Sequence, residues 1–255
     1  MVKVRTTLIV GISWLVLVSA TVAAPRKDKE KEKDKASTTK IVDAGSFGVF
    51  MNGHRVATEK FSIEQDASGS VATSEFKTEE GAVQAAQSSE LQLTANGELR
   101  KYEWKEVSPG KARAVIVPND NMLVERSTTN PQDKPEEHPF LLPTSTSVLD
   151  DYFFIHREIL AWKYLASGCR QDNGRVACPQ NQQMKFGAIN PHQRSSMLVS
   201  LLFAGKEKVP VHGVERDLDH FILKSEAGDW SMWLDDQFKL VRIVVASDNT
   251  EVVRD

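Results

Sequence analysis

From Gly45 onward, apolar and polar residues alternate in short runs separated by turn-forming pairs, the period-2 pattern of half-buried strands. In residues 46–51, Phe47, Val49 and Met51 fall on one face and Gly48 and Phe50 on the other. Asn52-Gly53 predicts a two-residue hairpin turn. That turn would set Met51 opposite His54, Val49 opposite Val56 and Gly48 opposite Ala57, with the return strand running on through Phe61 and Ile63. Ala67-Ser68-Gly69 leads into a strand over 71–76, whereas 78–88 has no clear period and admits a short helical turn. A strand over 89–94, a second Asn-Gly turn at Asn96-Gly97 and a return through 99–104 follow. Pro109-Gly110 and Pro118-Asn119-Asp120 punctuate further strands over 113–117 and 122–125. Strands linked this closely form an antiparallel meander, because parallel neighbours need crossover segments.

The period is lost over 127–146, which carries Pro131, Pro135, Pro139 and Pro143 and reads as a surface connection. Phe140, Leu141 and Leu142 within it suit either docking on the body or covering a pocket. Next comes a helix over 148–166: Ser147 as cap, Asp150 at the capping-box position, then Leu149, Tyr152, Phe153, His156, Ile159 and Leu160 at helical spacing up to Gly168. Phe154, Ile155, Trp162 and Leu165 widen its apolar belt, so it should be buried on more than one side. Strand texture resumes over 184–189, 197–203, 208–211, 218–224, 230–234 and 240–245, with Gly228 and Asp235-Asp236 marking the last hairpins. The predicted fold is mainly β with one long helix: a single curled antiparallel meander, or half-barrel, packed on the helix. Two small sandwiches are the alternative.

The first 23 residues break this texture. Lys3 and Arg5 precede an apolar run over 8–18 and the small residues 19–24, the layout of a secretory signal peptide cleaved after about Ala23. An uncleaved N-terminal anchor is the competing reading. Residues 24–42 are dominated by interleaved Lys, Asp and Glu and read as a disordered charged tether, leaving a β-rich domain over 43–255. Without the leader, the chain carries 30 basic against 35 acidic residues, a balance that argues against nucleic acid as partner. After cleavage no integral membrane span is expected. Cys169 and Cys178 stand nine residues apart around Asn173-Gly174, and in an oxidising compartment they are expected to close a small disulfide loop. Neither lies where a lipoprotein would be acylated.

Chemical motifs are sparse. The histidines form no H-E-x-x-H or close H-x-H pattern, and no nucleophile elbow, phosphate loop or dinucleotide fingerprint is present, so no catalytic residue, metal site or cofactor is predicted. His156 is the histidine of choice if an enzyme is assumed, with a structural core-edge histidine as its plainer reading. Asp235 and Asp236 are better explained as turn formers than as a carboxylate pair. The aromatic residues are more suggestive. Trp104, Trp162, Trp230 and Phe221 are the candidate ligand-binding residues, on the premise that a curled sheet has an apolar inside; plain core filling is the alternative. Trp230 and Trp233 differ in parity and cannot both point inward on a regular strand.

Two segments carry a resemblance. Residues 48–59, Gly-Val-Phe-Met-Asn-Gly-His-Arg-Val-Ala-Thr-Glu, and 233–242, Trp-Leu-Asp-Asp-Gln-Phe-Lys-Leu-Val-Arg, resemble the first hairpin and the closing turn and strand of uncharacterised exported bacterial proteins related to the lipoprotein-carrier half-barrels. The resemblance implies a curved antiparallel sheet around helix, an apolar concavity and a periplasmic location. It transfers no functional residue, and a single clear helix departs from the carriers. The expected function is a periplasmic, non-enzymatic binding or carrier protein for a lipid or other amphipathic ligand. An envelope structural or assembly protein that binds a protein partner is the alternative, and an envelope hydrolase the second.

Overall fold

Asn52 and Gly53 both adopt positive φ, 50° and 79°, as a tight two-residue hairpin turn requires, and so place the first two strands side by side. The computed structural model describes residues 38–79, 84–172 and 175–255. The expected signal peptide, most of the charged tether and the Asn173-Gly174 turn lie outside these residues. Eight strands come first: β1 (Lys40–Met51), β2 (His54–Asp66), β3 (Gly69–Thr78), β4 (Ala86–Thr94), β5 (Leu99–Ser108), β6 (Arg113–Asn119), β7 (Met122–Thr128) and β8 (Glu136–Phe140). A two-residue strand β9 (Ser147–Val148) and the helix α1 (Ile155–Gly168) follow, then the small hairpin β10 (Arg170–Asp172) and β11 (Arg175–Ala177). The chain ends in β12 (Gln183–Asn190), β13 (Ser195–Val211), β14 (Val214–Ser225), β15 (Gly228–Leu234), β16 (Leu240–Val245) and β17 (Thr250–Arg254).

Two meanders, β1 to β8 and β12 to β17, join through antiparallel pairing of β1 with β17, from Phe47↔Arg254 to Met51↔Thr250. The result is one open sheet of 15 strands, antiparallel except where β9 lies parallel to β12. Its inner face curls around α1: Phe47, Phe61, Leu91, Tyr102, Leu201 and Phe221 from across the sheet share one core with Ile155, Leu160 and Tyr164 of the helix. The single-sheet reading of the sequence holds. The proline-rich connection contains β8 and docks through buried Phe140, while Leu141 is exposed.

Several local expectations change. Strand β1 begins at Lys40, inside the segment read as tether. Met51 pairs with His54 and Phe50 with Arg55 as the simple register requires, but a bulge at Val56 then pairs Val49 with Ala57 and Gly48 with Thr58, one residue off that register. The strands expected over 197–203 and 208–211 form one strand, β13, with a bulge after Phe203 at Gly205, whose φ of 120° suits glycine. Beyond it, the β13–β14 hairpin covers the outer face of the sheet. Val209, Val211 and Leu218 form a second core there with Trp233, Val241 and Val253. Trp233 thus faces outward and Trp230 inward, as their parity requires.

The helix begins seven residues later than the sequence pattern suggested, and Ser147 does not cap it. Ser147 and Val148 instead extend the sheet against Ala188 and Ile189. The cap comes from β2: Glu59 Oε2 accepts the Phe154 N–H at 2.7 Å and Oε1 the Ile155 N–H at 3.4 Å. A carboxylate at this end satisfies donors that the helix leaves free and matches its dipole. At the other end, Cys169 is disulfide-bonded to Cys178, closing the base of the β10–β11 hairpin. No helix among the described residues is long and apolar enough to cross a membrane.

Candidate functional site

The chain reversals at Asn52-Gly53, 191–194, 226–227 and 246–249 lie along one rim of the curled sheet, as strict alternation of antiparallel hairpins demands. Beneath this rim the inner face is not filled. A cleft of about 570 Å³ opens between the sheet and the segment that leads into α1. Val49 and Met51 of β1, Val56 and Ala57 of β2 and Phe76 of β3 form one side. Trp230 of β15 and Val245 of β16 continue the wall, and Tyr152 and Phe154 close over it. Thr78, Thr250, Asp151 and Asp248 supply its polar groups. Its size falls within the roughly 300–1,000 Å³ of small-molecule sites, and apolar walls with few polar groups are their usual composition.

The lid segment is held rigidly from below. Asp150 is fully buried and accepts hydrogen bonds from the Tyr102 hydroxyl at 2.6 Å and the Tyr152 N–H at 2.9 Å, while His192 Nδ1 stands 2.8 Å from Oδ2. Burial alone would raise the Asp150 carboxyl, but the hydrogen bond and charge of His192, with His156 and Tyr102, bring it below its ordinary value. His192 Nε2 contacts Gln87 Oε1 at 2.8 Å, and its ring stacks on Trp104 at 4.1 Å. An aspartate orienting a histidine is half of a nucleophilic triad. Here the outer nitrogen meets an amide instead of a hydroxyl or thiol, and the pair serves to anchor the segment.

Behind Trp230 lies a second, smaller chamber of about 80 Å³, which shares Asp151 and Trp230 with the cleft and is lined further by Arg157, Asn190, Gln193 and Met197. Asp151 accepts hydrogen bonds from Asn190 Nδ2 at 2.7 Å and Gln193 Nε2 at 3.0 Å. Arg157 is 3% exposed, with its guanidinium over the Trp230 ring at 4.6 Å. Burial pulls this group below its ordinary value, opposed by the surrounding carboxylates of Asp151, Asp150 and Glu59.

Of the four aromatic residues singled out from the sequence, Trp230 lines the cleft. Trp104 lies on β5 against His192, Trp162 donates its Nε1–H to the Phe238 carbonyl at 2.7 Å, and Phe221 is fully buried between Tyr164 and Phe203. Phe221 belongs to the buried core and Trp104 and Trp162 pack against it partly buried; none of the three lines the cleft with Trp230. His156 is sealed in the first turn of α1, with burial, reinforced by Arg157 and opposed by Asp150, holding it down at about 3; it is therefore neutral at neutral pH. Asp235 caps its own turn, its Oδ1 accepting the Gln237 and Lys239 N–H groups. The sequence reading missed Asp151 and Arg157, which were unremarkable charges on an expected helix, and the cleft role of Tyr152 and Phe154, which the helical spacing assigned to a buried belt. Among the described residues no cluster of His, Cys, Asp and Glu is arranged to hold a metal.

No family model matches the chain, and no curated protein matches it either, so the resemblance of its two ends to lipoprotein-carrier half-barrels gains no support from these comparisons. Among solved structures, the chain is similar to a DUF1089 family protein from Pseudomonas aeruginosa, with 9% identity and a TM-score of 0.42, over 72% of this chain and 87% of that one.

Proposed function

We propose that this chain is an exported, non-enzymatic binding or carrier protein for a lipid or other amphipathic ligand. The observation that carries this reading is the 570 Å³ cleft, apolar along its walls and open beneath one rim of the sheet. An apolar concavity of this size with a few convergent polar groups is the usual form of a small-molecule site. The Cys169–Cys178 bond is compatible with an oxidising, exported setting. Opposite Trp230, Tyr152 and Phe154 supply flat apolar surface from a segment that Asp150 and Glu59 fix in place, so the cleft is preformed and binding needs little ordering.

Native mass spectrometry of the protein purified from the periplasm of an expressing bacterium, followed by solvent extraction of what it carries, tests the reading. A stoichiometric lipid or acyl compound is expected, and Val49→Trp, which fills the cleft, should displace it. A bare mass, with no shift when lipids are added, would refute the carrier reading.

A further inference from the structure

We infer that the chamber behind Trp230 receives a carboxylate, so that the ligand is an amphiphile with a carboxylate head seated at Arg157 and an apolar chain lying in the cleft. This rests on the binding function proposed above and adds the chemistry of the head group. The argument starts from the charge of Arg157. Its hydrogen bonds run from Nη1 to main-chain carbonyls, those of Asp150 and of Phe153 at 3.0 Å, and its buried Nε has no acceptor. Among the described residues it makes no ion pair.

The carboxylates near it act on it through space, and none of them accepts a hydrogen bond from it. Asp150 is bound by Tyr102 and faces His192, Asp151 is bound by Asn190 and Gln193, and Glu59 takes the N–H groups at the start of α1. A buried guanidinium whose Nε–H has no acceptor and which no anion contacts directly is costly, and in folded proteins such groups are hydrogen-bonded to a carboxylate. Aromatic rings at 4.6 Å (Trp230) and 5.7 Å (Phe154) supply attraction but no hydrogen-bond acceptor. The missing partner is an anion small enough for a chamber of about 80 Å³. A carboxylate fits both the volume and the planar fork of arginine. The Asp151 carboxylate on the same wall would repel a doubly charged phosphate more strongly than a single charge. Asp151 and Trp230 border both spaces, so the chamber adjoins the cleft and a head group at Arg157 stands next to the place of the chain.

The test compares dodecanoate with 1-dodecanol on the full chain stripped of bound lipid, at pH 8, read by tryptophan fluorescence and native mass spectrometry. The wild-type protein is expected to bind dodecanoate at least ten-fold more tightly than the alcohol, and in Arg157→Gln that ratio falls to about one. Should Arg157→Gln fail to fold by circular dichroism, Met197→Trp, which fills the chamber from another wall, supplies the same readout. Equal wild-type affinities overturn the carboxylate assignment and leave the cleft standing. A preference that persists in the folded variant places the anion elsewhere and overturns it too. Binding of neither compound removes the cleft reading itself.

Discussion

Glu59→Gln isolates the one buried charge that both caps the helix and fixes the lid of the cleft. The Glu59 carboxylate accepts the N–H groups of Phe154 and Ile155 and the Ser74 hydroxyl, the last at 2.7 Å. Burial pushes its carboxyl up to about 7 against an ordinary 4.5, and those hydrogen bonds offset only part of the rise. Between these two pH values the folded chain holds a proton that the unfolded chain has released. The stability this contributes is therefore complete below about pH 4.5 and lost as pH rises through about 7. At about 1.4 kcal/mol per pH unit, that interval is worth about 3 kcal/mol. Glutamine cannot titrate, so urea denaturation of both proteins from pH 4.5 to 8, followed by tryptophan fluorescence, reads the effect as a difference. Wild type should lose about 3 kcal/mol relative to Glu59→Gln across that range. Glu125, also raised to about 7 by burial, titrates in both proteins and cancels, as does His156, held down at about 3. Stability profiles that run parallel from pH 4.5 to 8 would refute the account of Glu59 as a buried, proton-linked cap.

Phe221→Ala should destabilise by about 3–5 kcal/mol in a urea melt, because the ring is fully enclosed between Tyr164 and Phe203 and its loss leaves a cavity. Arg254→Met should cost about 3–5 kcal/mol, since it strips Asp43 and Glu158, both buried, of the guanidinium that pairs with them at 2.6 and 3.1 Å; a double variant Asp43→Asn/Arg254→Met should recover part of that loss. Replacing Cys169 and Cys178 together by serine should lower stability by about 2–3 kcal/mol, measured against the oxidised protein, while the far-ultraviolet circular dichroism is retained, because the bridge closes a loop of nine residues in sequence separation.

The places where the sequence misleads are those where distant groups compete for the same atoms. Residues 147–150 satisfy every local rule for a helix start, yet β12 offers Ser147 and Val148 sheet hydrogen bonds, and Tyr102 and His192 engage Asp150. The helix starts where Glu59, nearly a hundred positions earlier in the chain, meets free N–H groups. A one-residue bulge at Val56 shifts the first hairpin in the same way, undetectable to a period-2 pattern that looks alike on either side of it.

What the sequence determined by itself is the local and periodic part: the strand faces, the Asn-Gly turn at 52–53, one helix with a wide apolar belt, the pairing of two cysteines nine residues apart, and the opposite facing of Trp230 and Trp233. Alternation of side chains and the backbone demands of turn residues are encoded within a few neighbours, so they can be read from the chain. Only the tertiary structure decided which aromatic residues border the cleft and which pack elsewhere. It brings Trp230 beside Tyr152, Phe154 and Arg157, while Phe221 goes to the core and Trp104 and Trp162, equally prominent in the sequence, pack against the core away from the cleft. A cavity is what remains after every surrounding chain segment has been placed, and curling an open sheet of 15 strands around a helix is a global fit that no local pattern contains.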